Sequence, residues 1–118
     1  MEKTMLNLDN QSKSSRIREL NDQFRSTFIG GAVLITAAFE SLPIALRSKV
    51  LRRVREYDQF DSDNDPYLEH DMAFFEEAGE KFFFKIDYYA PNMRCGSDDP
   101  ADPNKTRRVL TIGLASDY

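Results

Sequence analysis

With 118 residues, 41% of them hydrophobic and 31% charged, the chain has the length and composition of one soluble domain that folds without staples. Its single cysteine, Cys95, excludes an intramolecular disulfide, and no apolar run approaches the roughly 18 residues of a membrane span. The net charge of −4 hides an asymmetry: residues 1–57 carry ten Lys+Arg against six Asp+Glu, and residues 58–118 carry six against fourteen.

Residues 1–14 are polar and without periodicity, and are expected to form a flexible N-terminal segment; nothing in them has the order of a signal peptide, so a cytoplasmic protein is expected. Residues 15–118 are expected to form one α+β domain. Ile17, Leu20, Phe24 and Phe28 recur at spacings of three and four, which places them on one face of a helix capped at Ser14 or Ser15 and stopped by Gly30-Gly31. Ala32 to Thr36 is a short β-branched apolar run, predicted as a strand with both faces covered.

Ser41 and Pro43 signal a second helix, in which Leu42, Leu46, Val50, Val54 and Tyr57 follow at helical spacing. Its opposite side carries Arg47, Lys49, Arg52, Arg53 and Arg55. Clustered guanidinium groups displace counterions from nucleic acid, so Arg47, Arg52, Arg53 and Arg55 are the candidate nucleic-acid contacts, although an amphipathic helix commonly has a basic solvent face.

The acidic connector Asp58 to Pro66 follows. Asp61, Asp63 and Asp65 imitate the first ligands of a calcium loop, but Pro66 stands where the turn glycine belongs and Met72 where the bidentate glutamate belongs, so no metal site is expected. Glu69-His70-Asp71 holds the only histidine. With flanking carboxylates, His70 is raw material for acid–base chemistry, with Tyr88 or Arg94 as possible helpers; the plainer reading is a structural hydrogen bond.

Asp71 to Tyr89 reads as a β-hairpin. Phe82, Phe84, Ile86 and Tyr88 alternate strictly with Lys81, Phe83, Lys85, Asp87 and Tyr89, and Gly79 supplies the positive φ of a tight turn. Ala90 to Lys105 is a long loop rich in Pro, Asp and Gly, carrying Asp98, Asp99 and Asp102. Thr106 to Ala115 closes the chain as a strand with Leu110, Ile112 and Leu114 on one face.

The strings RIRELNDQFR (Arg16 to Arg25), DNDPYLEHD (Asp63 to Asp71), KIDYY (Lys85 to Tyr89), GSDDPADP (Gly96 to Pro103) and TRRVLTIGLASDY (Thr106 to Tyr118) resemble a bacterial family catalogued as domain of unknown function 3768. Phe84 stands before Lys85 where the family pattern leads one to expect tryptophan. The resemblance brings no established reaction. It implies accessory genes of plasmids and integrative elements, often beside anti-restriction genes, and hence a role in protecting mobile DNA from host defences.

The expected fold is therefore a three- to four-stranded, mainly antiparallel sheet with two helices on one face, in the order α-β-α-β-β-β. The expected function is a non-enzymatic acidic interaction protein without cofactor. Asp61, Asp63, Asp65, Glu69, Asp98, Asp99 and Asp102 would present a negative field to the basic nucleic-acid-binding surface of a host defence effector and so inhibit it, a role of anti-CRISPR or anti-restriction type. The alternatives are a small enzyme using His70 with Glu69 or Asp71, and direct nucleic-acid binding by the basic helix 43–57. Oligomeric state is left open.

Overall fold

Alternation with period two between Met72 and Tyr89 dictates the centre of the molecule. In the computed structural model, which describes the backbone of residues 2–118 and the side chains of residues 13–118, strand β2 (Met72–Glu77) and strand β3 (Glu80–Tyr89) pair antiparallel. Ala78 and Gly79 form the turn, both at positive φ (54° and 79°), the backbone twist that suits a two-residue hairpin. Strand β4 (Arg107–Leu114) pairs antiparallel with β3, and strand β1 (Gly31–Ile35) pairs parallel with β4, giving the order β1-β4-β3-β2.

One face of this sheet is the core face. Phe82, Phe84 and Ile86 from β3 lie opposite Leu114, Ile112 and Leu110 from β4, with Ala73 and Phe75 beside them on β2. Helix α1 (Glu2–Thr27) contributes Phe24, helix α2 (Ala37–Glu40) Phe39, and helix α3 (Ile44–Glu56) Val50 and Val54. Each such large apolar side chain contributes roughly 1.5–3 kcal/mol by leaving water. On the opposite face, the ring of the C-terminal Tyr118 packs edge-on against Phe74 and Phe83.

The architecture is the expected α+β sheet with helices on one face, and several local expectations are corrected. A one-turn helix, α2, lies between β1 and α3; Thr36 caps its start by accepting from the Phe39 N–H, and Ser41 ends it rather than capping the next helix. Pro43 stands at the start of α3. The run in β1, predicted to be covered on both faces, is an edge strand with Ala32, Leu34 and Ile35 exposed.

Helix α1 also begins earlier than Ser15, so the capping serines lie inside it. Of the expected flexible segment 1–14, the side chains of residues 1–12 lie outside the described residues. The helix stops at Thr27, where Phe28 takes a left-handed φ of 60° and its N–H donates back to the Phe24 carbonyl.

Candidate functional site

Helix α1 runs over the sheet end where β3 finishes and β4 begins, and there it places polar side chains on an otherwise apolar stripe. Asn21, on the same face as Ile17 and Phe24, is fully buried. Its Nδ2 donates to the Tyr88 hydroxyl at 2.7 Å and to the Glu69 carbonyl at 2.9 Å, and its Oδ1 accepts from Arg108 Nε at 2.8 Å. Every polar atom of the amide is used, as burial requires.

Two loops are tied to this hub. The Tyr88 hydroxyl donates to Glu69 Oε1 at 2.7 Å, anchoring the connector between α3 and β2. Arg108 Nη2 donates to the Pro100 carbonyl, anchoring the loop between β3 and β4. Burial, and then the hydrogen bond to Glu69, pushes the Tyr88 hydroxyl far above its usual range, so it stays protonated and donates. Burial lowers Arg108 from its ordinary value, partly offset by Tyr88 and Glu69.

The connector folds around its own carboxylates. Asp61 Oδ1 accepts from the N–H groups of Asp63 and Asn64, an Asx-type turn. Asp65, 2% exposed, accepts through Oδ1 from the N–H groups of Glu69 and His70. Leu68 and His70 take positive φ (59° and 53°); the Leu68 N–H donates to the Asp65 backbone carbonyl and the His70 N–H to the Asp65 side chain. In the second loop, Asp99 accepts from Ala101 N–H, Asp102 from Asn104 N–H ahead of a single 3-10 turn, and the Ser97 and Thr106 hydroxyls meet at 2.7 Å.

The seven acids predicted as one partner-facing set therefore divide. Asp61, Asp63 and Asp98 are exposed, Asp99 and Asp102 are half-exposed, Glu69 is bonded to Tyr88, and Asp65 is turned inward. None of the seven has a lysine or arginine within ion-pair distance among the described residues. Asp71 lies beside them, and its carboxyl is raised from its usual value, first by burial and then by Glu69, Asp65 and Asp87. Asp61, Asp63 and Asp65 do not converge, and among the described residues no cluster of three acids, histidines or cysteines is placed to hold a metal ion.

His70 is built into the fold. Its Nδ1 lies 2.8 and 3.0 Å from the two Asp22 oxygens, its Nε2 lies 3.5 Å from Asp65 Oδ2, and its ring stacks on Phe60 at 4.0 Å. Glu69 and His70 point to different partners, Glu69 to Tyr88 and His70 to α1, while the Asp71 carbonyl accepts from the Ile86 N–H. These contacts fasten the connector to α1.

The basic helix is partly neutralised. Arg53 and Lys49 both pair with Glu77, at 2.7 and 2.8 Å, and hydrogen bonding from Lys49 holds the Glu77 carboxyl below its ordinary range. Arg53 also lies over Phe75 and Arg55 over Phe28, with cation-to-ring distances of 5.1 and 5.4 Å. Arg52 is exposed and Arg47 half-buried. At the far end of the helix, Arg25 Nη1 donates to the Val54 and Tyr57 carbonyls, satisfying groups that a helix C-terminus leaves free.

Two adjoining cavities, about 440 and 520 Å³, share Gly30, Thr106 and Arg108; Phe24, Ile29 and Pro103 line one, Ala32, Met93 and Val109 the other. His70 lines neither. Cys95 is exposed, and no described helix is long and apolar enough to cross a membrane.

Sequence reasoning passed over Asn21, Asp22, Arg25 and Arg108. Two carried a signal: Asn21 is a polar residue on an apolar helical stripe, and Arg108 sits in register with the inward-facing Leu110 and Ile112. The sequence profile described as "Protein of unknown function (DUF3768)" matches residues 35–117. No curated protein and no solved structure matches the chain.

Proposed function

Since the chain belongs to the DUF3768 family, whose description assigns no activity, we propose its role from charge geometry: a non-enzymatic, cytoplasmic interaction protein that covers a basic, nucleic-acid-binding surface on a protein partner. One observation carries this reading. The hub formed by Asn21, Tyr88 and Arg108 fastens two acid-bearing loops to the same end of the sheet. Their exposed carboxylates have no cationic partner within the described chain. Unpaired charge held on rigid turns loses little solvation or entropy until a complementary surface arrives, and it steers that surface in by long-range attraction.

The partner we propose is a host defence effector of restriction or CRISPR type, whose nucleic-acid channel is lined with cations. The chain's resemblance to accessory proteins of mobile elements motivates this choice. Asp61, Asp63, Asp98, Asp99 and Asp102 are the contact residues; Asp65 and Glu69 hold the loops in shape. Glu77 takes up Arg53 and Lys49 in internal pairs, which favours this reading over direct nucleic-acid binding by α3.

Competition measurements test the proposal. The protein is titrated into complexes of purified restriction and CRISPR-type effectors with their DNA, at low and high salt. Displacement of DNA from an effector, weakened by salt, is the expected result; displacement of none removes the reading.

A further inference from the structure

Strand β1 carries the sequence GAVLI, with no charge, no proline and no bulge, and it is the last strand on its side of the sheet. Natural edges are usually blunted by one of those devices. Here Leu34 is 53% and Ile35 38% exposed, and Ile29 just before the strand is 77% exposed. The exposed apolar groups sit beside a row of backbone donors and acceptors facing water.

Which backbone groups face outward follows from the ladder. The Thr36 N–H donates to the Ile112 carbonyl on β4. By the alternation of a strand, Leu34 and Ala32 likewise direct their groups toward β4. Gly31, Val33 and Ile35 direct theirs to the open edge.

We propose that β1 pairs antiparallel with β1 of a second copy about a two-fold axis at Val33, joining two four-stranded sheets into one continuous sheet. In that register Val33 meets Val33, Gly31 meets Ile35, and Ala32 meets Leu34. The pairs whose backbone groups point outward (Gly31 with Ile35, and Val33 with itself) are the hydrogen-bonded pairs of an antiparallel ladder, so the donors and acceptors coincide without a slip. Side chains match as well: a large residue lies opposite a small one on each face, Ile35 beside Gly31 and Leu34 beside Ala32.

Gly31 is fixed as the small partner by its own fold, because a Cβ there would collide with the Arg108 carbonyl oxygen and lie 2.8 Å from Phe24 Cζ. Charge at the contact does not oppose this occupant. Copies of net charge −4 repel, but β1 is uncharged, and antiparallel pairing points the acidic loops of the two copies to opposite ends of the joined sheet. A two-fold contact of this kind is self-complementary and closed, so it stops at a dimer.

The experiment combines sedimentation equilibrium with cross-linking. Wild type is expected to be a dimer, and Leu34→Lys, which charges an exposed edge position, a folded monomer with unchanged circular dichroism. In a Cys95→Ser background, Val33→Cys is expected to oxidise to a covalent dimer much faster than Leu34→Cys, because residue 33 faces its own copy at about 5.5 Å between Cα atoms, within disulfide reach. A monomeric wild type, a dimer that survives Leu34→Lys, or equal cross-linking at positions 33 and 34 would each overturn the proposal.

Discussion

The Tyr88 hydroxyl stands between Asn21 and Glu69, accepting from the first and donating to the second, both at 2.7 Å. Helix, sheet and acidic connector meet at that oxygen. Replacing Asn21 by alanine strips partners from Arg108 Nε, Tyr88 and the Glu69 carbonyl together, and is expected to cost about 3 kcal/mol. Tyr88→Phe leaves Asn21 its other bonds and is expected to cost about 1–2 kcal/mol. In urea denaturation the double variant should lose less than the sum, because the residues share one network.

Acid and alkali should act oppositely on two carboxylates. Burial raises Asp71 above its unfolded value, so its contribution to stability is complete below the ordinary carboxylate range and is lost as pH rises through the folded value. Asp71→Asn is therefore expected to be more stable than wild type at pH 7, the advantage vanishing below about pH 4. Glu77 is lowered by Lys49 and then by Arg53; its contribution is complete above the ordinary range and is lost as pH falls through the folded value. Glu77→Gln should be less stable than wild type at pH 7, with the gap closing in acid. Melting temperatures across the pH range read both.

Ala78 occupies a left-handed turn position with φ of 54°, where a Cβ is unfavourable. Ala78→Gly or Ala78→Asn is expected to stabilise the hairpin by about 0.5–1 kcal/mol. Loss of stability in both variants would contradict the two-residue turn.

Much of the fold was legible because it is periodic. The inward set Phe82, Phe84, Ile86 and Tyr88 follows from alternation alone, and the α3 stripe of Val50 and Val54 from helical spacing; both are buried as expected, Tyr88 partly. What was not legible depends on neighbours. An apolar run such as Gly31–Ile35 reads alike at a sheet edge or between covered faces, since period says nothing of which strand lies beside it. Helix α2 is shorter than any period that could reveal it. Asn21 and Arg108 were visible as polar residues on apolar faces, but they are 87 positions apart, and only folding brings them together. The acids were visible by composition; that Asp65 turns inward to hold two amides was not.

In the proposed role the loop carboxylates, and not the arginines of α3, make the contact with a partner. Asparagine keeps the oxygen that caps each turn and removes the charge, so a variant with Asp61, Asp63, Asp98, Asp99 and Asp102 all changed to Asn should stay folded. Measured as displacement of DNA from a susceptible effector, wild type and an Arg47→Ala, Arg52→Ala, Arg55→Ala variant should compete equally, while the five-asparagine variant should weaken by at least about 100-fold, roughly 2.7 kcal/mol. Undiminished competition by the folded five-asparagine variant, or its loss on changing the arginines, would rule out the loop carboxylates as the contact surface.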